Sequence, residues 1–248
     1  MAERSGEGIY FISDLHFGLQ DSAAEKMKRE KLAELFRLVE QSGGALYMLG
    51  DIFDYWMEFR HVVPKNFMQV YALLYGLVHS GVKVVYVAGN HDFHLGSFFD
   101  RELGIRTLYG LNGFDYADRK FLFAHGDGLG DGDLGYKLFA RFVRTRLNLG
   151  LLTAFHPDLA LALMKRLSNL SRHYKPGDSS RESNRLLNFA ESIVSEREFD
   201  YFICGHNHLQ GIHLLANGRS RYVNLGSWIE GRYPYGVFLD DALSLKEL

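Results

Sequence analysis

The sequence predicts an α/β (α+β) fold, in which short buried strands alternate with amphipathic helices before a final part built of strands. The clearest strand covers residues 82–88, an apolar run rich in β-branched side chains that stops abruptly at Gly89. The clearest helix covers residues 22–41, where apolar residues recur at helical spacing. Beyond residue 210, apolar and polar residues alternate with period two, which predicts closing strands.

The elements before this final part follow one another in a regular order. Gly43 and Gly44 end the first helix, and a long helical stretch separates the last two strands. In chain order, the strands are predicted over residues 9–13, 45–49, 82–88, 121–124 and 201–204, with helices over 22–41 and 65–80 between the first three.

The composition is that of a globular protein with a substantial core. The 248 residues are 47% hydrophobic and 23% charged, which fits one large domain or one domain with an insert. A net charge of −2 does not indicate binding to nucleic acid. The single cysteine, Cys204, excludes an internal disulfide and is typical of a reducing compartment. With no signal-peptide pattern and no apolar run of about 18 residues, we expect a cytoplasmic protein, or one attached only to a membrane surface.

Every one of the five predicted strands listed above ends in a cluster of polar side chains. A lone aspartate or histidine at a strand end is usually a turn or surface residue, but five repeats of one pattern indicate a shared site. In open α/β sheets, ligands bind at the carboxyl ends of the strands. In order, the clusters contain Asp14 and His16; Asp51 and Asp54; Asn90, His91 and Asp92; His125; and His206 and His208.

The residue types in these clusters predict a catalytic metal site. Imidazole, carboxylate and amide oxygen without thiolate suit Mn, Fe or Zn at a catalytic site better than a structural zinc site. Because alternate side chains of an extended segment share a face, Asp14 and His16 point to one side, as do His206 and His208. Asp51 can bridge two ions, and two ions about 3.5–4 Å apart stabilise displacement at phosphorus. We therefore expect two divalent metal ions, manganese first, with Fe or Zn as alternatives.

The clusters resemble the motifs of the calcineurin-like metallophosphoesterases. That family carries D-x-H, G-D-x-x-D, G-N-H-D/E, a histidine after a later strand, and G-H-x-H, and all five occur here in the same order between residues 14 and 208. The resemblance implies a four-layer α-β-β-α sandwich with a helical cap insertion. The core would comprise residues 1–131 and 198–248, and the cap residues 132–197.

The resemblance also implies a role for each motif residue. His91 would be catalytic, binding the phosphoryl oxygen or protonating the leaving group, and Asp54 would be the catalytic residue that orients it. A carboxylate partner fixes the tautomer of a working histidine, which makes this assignment chemically reasonable. One metal would be held by Asp14, His16, Asp51 and His208, and the other by Asp51, Asn90, His125 and His206.

The segment between the fourth and fifth motifs is basic and apolar. Residues 134–175 contain eight Lys and Arg residues against one acid, Asp158, and Arg141 and Arg144 share a helix face with Lys137. These could be two surface helices with solvated charges and packed apolar faces. Alternatively, they form a cap that receives an acyl chain and an anionic head group, or that lies on an anionic membrane. An apolar stripe follows Pro157, formed by Leu159, Leu163, Leu167 and Leu170.

An insert of this kind is similar to that of the UDP-2,3-diacylglucosamine pyrophosphohydrolases of lipid A synthesis. The runs over residues 50–56, 89–93 and 124–127 agree with that family. The best-known branch has arginine at the position of His91, whereas other branches and most general phosphoesterases have histidine. The resemblance implies substrate contacts by Asn90, His91, Asp133 and Ser171, with Arg141 and Arg144 on the basic helix face.

The function expected from the sequence is hydrolysis of UDP-2,3-diacylglucosamine to UMP and 2,3-diacylglucosamine 1-phosphate. The partners would be this UDP-linked acylated sugar and the anionic cytoplasmic face of the inner membrane. A phosphodiesterase or phosphatase acting on a soluble nucleotide is the first alternative. A nuclease is the second, since basic helices can follow phosphates. A phosphoesterase-like scaffold that binds a protein partner is the third, although such a scaffold could lose metal ligands and all of them are present here.

Overall fold

The larger of the two main β-sheets has six strands, in a computed structural model that describes residues 7–130, 156–173 and 179–248. In spatial order the strands are β13 (Ala242–Glu247), β12 (Pro234–Leu239), β1 (Ile9–Ile12), β2 (Ala45–Leu49), β4 (Lys83–Val87) and β6 (Arg106–Leu108). The strands β1, β2, β4 and β6 are parallel to one another, whereas β12 pairs antiparallel with β1 and β13 pairs antiparallel with β12.

The second sheet has five strands, with a parallel centre and antiparallel edges. A small two-stranded sheet, β3 (Trp56–Met57) with β5 (Asp92–His94), lies beyond the ends of β2 and β4. In spatial order the second sheet consists of β10 (Gly211–Leu214), β11 (Arg221–Asn224), β9 (Tyr201–Cys204), β8 (Arg119–Phe123) and β7 (Asn112–Tyr116).

The first helix begins and ends at residues with strong capping preferences. Asp21 caps the first helix, because its carboxylate accepts hydrogen bonds from the amides of Ala23 and Ala24. Gly43, in the left-handed conformation with φ of 66°, ends it. The described helices are α1 (Ser22–Ser42), α2 (Met68–His79) preceded by a 3-10 turn (Lys65–Phe67), α3 (Phe98–Arg101), α4 (Pro157–His173) and α5 (Ser179–Ile193).

Three apolar cores separate four layers, helix, sheet, sheet and helix. Phe11 of β1 and Ile203 of β9 belong to the core between the two sheets. The neighbours of Phe11 in β1, Tyr10 and Ile12, face the other way and pack with α1 and α2. On the outer face of the second sheet, Phe202 packs with α5. This arrangement confirms the predicted four-layer sandwich.

The segment 132–197, predicted to be a cap insertion, contributes to two of these cores. Leu186 and Ala190 of α5 are buried against the second sheet, so this helix supplies the outer layer of that sheet. Ala160 and Met164 of α4 are buried in the core that contains α1 and α2. Among the residues described, no helix has both the length and the apolar character that crossing a membrane requires.

The packing of α1 gives a stability prediction with a control on the same helix. Leu35→Ala removes a side chain that is fully buried against the larger sheet. It should lower the free energy of unfolding by about 2–5 kcal/mol, because the lost transfer energy and the cavity add. Leu38→Ala, at an exposed position, should change it by less than about 0.5 kcal/mol. Urea denaturation of the metal-loaded variants measures both values, and equal losses would contradict the layer assignment.

Candidate metal centre

The polar clusters predicted from the sequence lie together at one edge of the two sheets. The loops after β1 and β2 are joined by main-chain hydrogen bonds, from the amide of Asp14 to the carbonyl of Gly50 and from that of His16 to Asp51. On the other sheet, the amide of Gly205 donates to the carbonyl of His125. Parallel strands place all these loops at their common carboxyl end, as expected.

Many of the predicted ligands have an unusual backbone conformation. Positive φ angles are uncommon for residues other than glycine and cost on the order of 1–3 kcal/mol each. Such conformations persist where the surrounding structure enforces them, and they concentrate at functional sites. The predicted ligands with positive φ are Asp14 (56°), His16 (47°), Asp51 (54°), His206 (74°) and His208 (61°).

A first group of ligand atoms consists of one carboxylate and two imidazoles. The Oδ1 atom of Asp14 lies 3.1 Å from Nε2 of His208 and 3.6 Å from Nε2 of His16. The two imidazole nitrogens are 3.4 Å apart. Three ligand atoms converging from two loops fit one divalent cation.

A second group lies beside the first, and Asp51 lies between the two. Oδ1 of Asn90 is 2.9 Å from Nε2 of His125 and 2.8 Å from Nδ1 of His206. Oδ2 of Asp51 lies 3.3 Å from Nε2 of His125 and 4.0 Å from Nε2 of His16, a member of the first group. Asp51 is therefore placed to bridge two ions, and the donor set fits two divalent metals.

Each aspartate has one oxygen held by the protein and the other directed at the imidazoles. Oδ2 of Asp14 accepts hydrogen bonds from the Ser13 hydroxyl (2.6 Å) and the His206 amide (2.9 Å). Oδ1 of Asp51 accepts from the His91 amide at 2.9 Å. These bonds fix the orientation of the carboxylates and leave Oδ1 of Asp14 and Oδ2 of Asp51 as the oxygens available to metal.

The pKa values reflect carboxylates and imidazoles buried together. Burial alone raises the pKa of a carboxyl, but His208, His125 and His16 hold the pKa of Asp14 well below its usual range. Burial lowers the pKa of an imidazole, yet the neighbouring carboxylates of Asp14, Asp54 and Asp51 raise the pKa of His16 to about 9. A proton on His16 thus offsets part of the negative charge that a bound cation would offset.

His91 lies beside the two groups and is held by Asp54. Its Nδ1 donates to the main-chain carbonyl of Asp54 at 2.7 Å, which fixes the tautomer and turns Nε2 to the site, 3.9 Å from Oδ2 of Asp51. The Asp54 carboxylate has a further neighbour, since its Oδ1 lies 3.5 Å from Nδ1 of His16. Asp54 of the G-D-x-x-D motif therefore makes two contacts in the site. Its main-chain carbonyl holds His91, and its carboxylate lies next to His16, a proposed metal ligand.

The motif glycines allow the loops to approach closely. A Cβ atom at Gly205 would collide with the hydroxyl of Ser13 and with Oδ2 of Asp14. One at Gly89 would collide with Oδ1 of Asp51. Both glycines are therefore required by the position of a ligand carboxylate.

Sequence reasoning assigned no role to Asp92, which holds two loops in place. Its carboxylate accepts hydrogen bonds from the amides of Gly89 (2.8 Å) and Asp51 (3.1 Å) and from the hydroxyl of Tyr86 (2.7 Å). Burial and the charge of Asp51 raise the pKa of Asp92 to about 6. The sequence feature that could have indicated this role is the position of Asp92 as the last residue of the G-N-H-D run.

The predicted substrate contacts are only partly within the described structure. Asn90 and His91 lie in the metal centre. Asp133, Arg141 and Arg144 lie outside the described residues, as does the side chain of Ser171. Of the predicted leucine stripe, Leu159 and Leu163 are 67% and 46% exposed. The buried face of α4 is instead the one that carries Ala160 and Met164.

A four-layer sandwich with paired metal-binding groups at the sheet edge defines a metal-dependent hydrolase of phosphoric esters. The chain belongs to the calcineurin-like phosphoesterase family, whose sequence profile matches residues 8–210. It is 30% identical to the UDP-2,3-diacylglucosamine hydrolase of Porphyromonas gingivalis, over 97% of this chain and 97% of that protein. The enzymes of the same name from Neisseria meningitidis serogroup A and Serratia proteamaculans are 35% and 33% identical, each over about nine tenths of both chains.

The raised imidazole pKa values predict how the metal-free protein responds to pH. The pKa of His16 is about 9 in the folded protein, above the ordinary value of 6.5, so the stability it contributes is complete below pH 6.5 and lost as the pH rises to about 9. The pKa of His125 is also raised, because Asp51 and Asp14 outweigh its burial.

Thermal unfolding of chelator-treated protein should therefore show a melting temperature that falls from pH 6.5 to about 9. Manganese-loaded protein is the control. Its ligands carry no protons to lose, so metal should stabilise the protein more as the pH rises. A metal-free melting temperature that rises over the same interval would contradict the assignment.

Proposed function

We propose that this protein hydrolyses the pyrophosphate bond of UDP-2,3-diacylglucosamine, releasing UMP and 2,3-diacylglucosamine 1-phosphate. The observation that carries the proposal is the identity of 30–35%, along most of the chain, with proteins named UDP-2,3-diacylglucosamine hydrolase. The complete set of metal donors supports an active enzyme over a binding scaffold.

The cofactor would be two divalent ions, with manganese favoured by the mixed oxygen and imidazole donors. When bound, two such ions acidify a water molecule and stabilise the charge that develops on phosphorus. One ion would be held by Asp14, His16, Asp51 and His208, and the other by Asp51, Asn90, His125 and His206.

His91 would act on the phosphoryl group without binding metal. Burial lowers the pKa of this imidazole, so it is neutral before substrate binds. The negative charge of a bound pyrophosphate favours protonation, after which Nε2 can donate a hydrogen bond to a phosphoryl oxygen. The main-chain carbonyl of Asp54 holds the ring in the orientation that this requires.

The acylated half of the substrate would contact the segment 132–197, which we propose as a helical cap. Leu159 and Leu163 support this assignment, because the described part of α4 presents them to solvent on the same helix face as the exposed Arg166. An apolar and basic surface suits an acyl chain with an anionic head group. The proposed substrate contacts in this segment are Asp133, Arg141, Arg144 and Ser171.

The same surface would place the protein on a membrane. An acylated substrate resides in a bilayer, and basic side chains are attracted to the anionic lipids of its cytoplasmic surface. We therefore propose a cytoplasmic enzyme that binds peripherally to the inner membrane.

A substitution of His91 tests its role. His91→Ala should lower kcat by roughly 10²–10⁴-fold, the usual contribution of a general acid or base, while both metal ions remain bound. His94→Ala, three residues further along the chain, is the control and should keep most of the activity. Steady-state kinetics with elemental analysis separates the outcomes, since loss of metal together with activity would make His91 a metal ligand.

A comparison of substrates tests the proposed function. Manganese-loaded protein should hydrolyse UDP-2,3-diacylglucosamine with a kcat/KM on the order of 100-fold above that for bis(p-nitrophenyl) phosphate. Burial of roughly four methylene groups at about 0.8 kcal/mol each would supply the difference. Leu159→Gln combined with Leu163→Gln should reduce this preference by on the order of tenfold and leave the small substrate unaffected.

Leu214→Gln, at an exposed leucine of the edge strand β10, is the matched control for these substitutions and should change neither rate. Equal rates for the two substrates in wild-type protein would favour a phosphodiesterase that acts on soluble nucleotides.

A further inference from the structure

Lys28 is a fully buried lysine directly behind the metal centre. It lies on the inner face of α1 with only 1% of its surface exposed, although lysine is almost never buried without partners. Its ammonium group donates hydrogen bonds to the main-chain carbonyls of Leu15 (3.0 Å) and His16 (2.9 Å). Its third contact is an ion pair with the Glu25 carboxylate at 2.7 Å. All three of its donors are thus used.

The loop that Lys28 contacts contains two of the proposed metal ligands in a strained conformation. Asp14 and His16 both have positive φ, and their amides donate to the loop after β2. The carbonyls of Leu15 and His16 point to the opposite side, where they meet the ammonium group. Lys28 therefore binds the side of the loop that the neighbouring strand leaves without partners.

Glu25 extends this contact to the rest of the loop. Its carboxylate accepts hydrogen bonds from the amides of Gly18 (3.0 Å) and Gln20 (3.1 Å) as well as pairing with Lys28. The ammonium group also lies 5.1 Å from the centre of the Phe17 ring, within range of a cation–π interaction. One lysine and one glutamate of α1 thus fasten residues 15–20 to the helix.

We propose that Lys28, supported by Glu25, is a positioning residue for the metal centre. It holds the loop so that Oδ1 of Asp14 and Nε2 of His16 already stand where a cation needs them. The inference rests on the metal centre proposed above, and Lys28 itself contacts neither metal nor substrate. Without the ammonium group, the buried carbonyl of Leu15 would lose this hydrogen bond and that of His16 would keep only its bond from the Leu19 amide (3.2 Å), so the strained loop would relax toward an ordinary conformation.

Removing the charge of Lys28 should change the metal affinity in opposite directions under a positioning role and under a purely electrostatic role. A positive charge near a cation site weakens metal binding by repulsion, so removing it should strengthen binding if charge alone mattered. If positioning dominates, removing it should weaken binding, because the ligands are no longer pre-arranged. Removal of groups that orient metal ligands typically costs about 10–100-fold in affinity.

The test is Mn²⁺ binding to chelator-treated Lys28→Met, which keeps the side-chain length and removes the donors. Isothermal titration calorimetry should give a Kd about 10–100-fold above that of wild-type protein. At saturating Mn²⁺, kcat should return to within a few fold of wild type. Lys31→Met on the same helix, where the lysine is paired with Glu34 near the surface, should bind Mn²⁺ as wild type does.

Glu25→Gln provides a second and milder variant, because it keeps the shape of the side chain and removes its charge and one of its two acceptor oxygens. It should raise the Kd for Mn²⁺ by a smaller factor than Lys28→Met does. If Lys28→Met does not fold, the Kd of Glu25→Gln tests the positioning role instead. Unchanged or tighter binding in a folded variant, even with a lower melting temperature, would overturn the positioning role. Wild-type protein that binds no Mn²⁺ would instead overturn the metal centre itself.

Discussion

Asp14 and Asp51 bury two carboxylates at the edge of the sheets, and the local structure of the site is built around them. An ionised carboxylate is costly to bury unless cations and hydrogen bonds compensate for lost water. Here the protein supplies hydrogen bonds to one oxygen of each group and imidazoles to the other. Bringing these charges together explains two features of the site. Gly89 and Gly205 approach the carboxylates closely, and several ligand residues have positive φ angles.

The loops that carry the ligands act as an extension of the sheet. After β1 ends, the amide of Phe17 donates to the carbonyl of Ile52, and the amide of Asp54 donates back to Phe17. The amide of Trp56 then donates to the carbonyl of His91, which begins the small sheet of β3 and β5. His91, the proposed catalytic residue, and the first proposed metal ligands therefore share one main-chain network, to which Lys28 adds its contacts from the side of α1.

Much of the sheet edge and of the metal centre could be predicted from the sequence. Each strand end shows two signals, an apolar run and the polar residues that follow it. The convergence of Asp14, Asn90 and His206 followed from that pattern, whereas the four layers were implied by the family resemblance of the motifs. The main-chain role of Asp54 could not be predicted, since a carbonyl carries no side-chain signature. Lys28 was missed because a charged residue in an amphipathic helix usually faces solvent. On α4, the large leucines suggested the packing face, yet the smaller Ala160 fits closer to the core.

The residues of the metal centre come from distant parts of the chain, and His208 near its end lies in the same group as Asp14 and His16 near its start. The His206 amide binds Oδ2 of Asp14, and the Asp14 carbonyl accepts a hydrogen bond from the amide of Trp228. Contacts between residues so distant in sequence form late and slowly, since the loop that must close between them is long. During synthesis, the first ligands leave the ribosome well before the last ones exist. The complete donor set is therefore among the final features to assemble, and a nascent chain offers metal only a partial site.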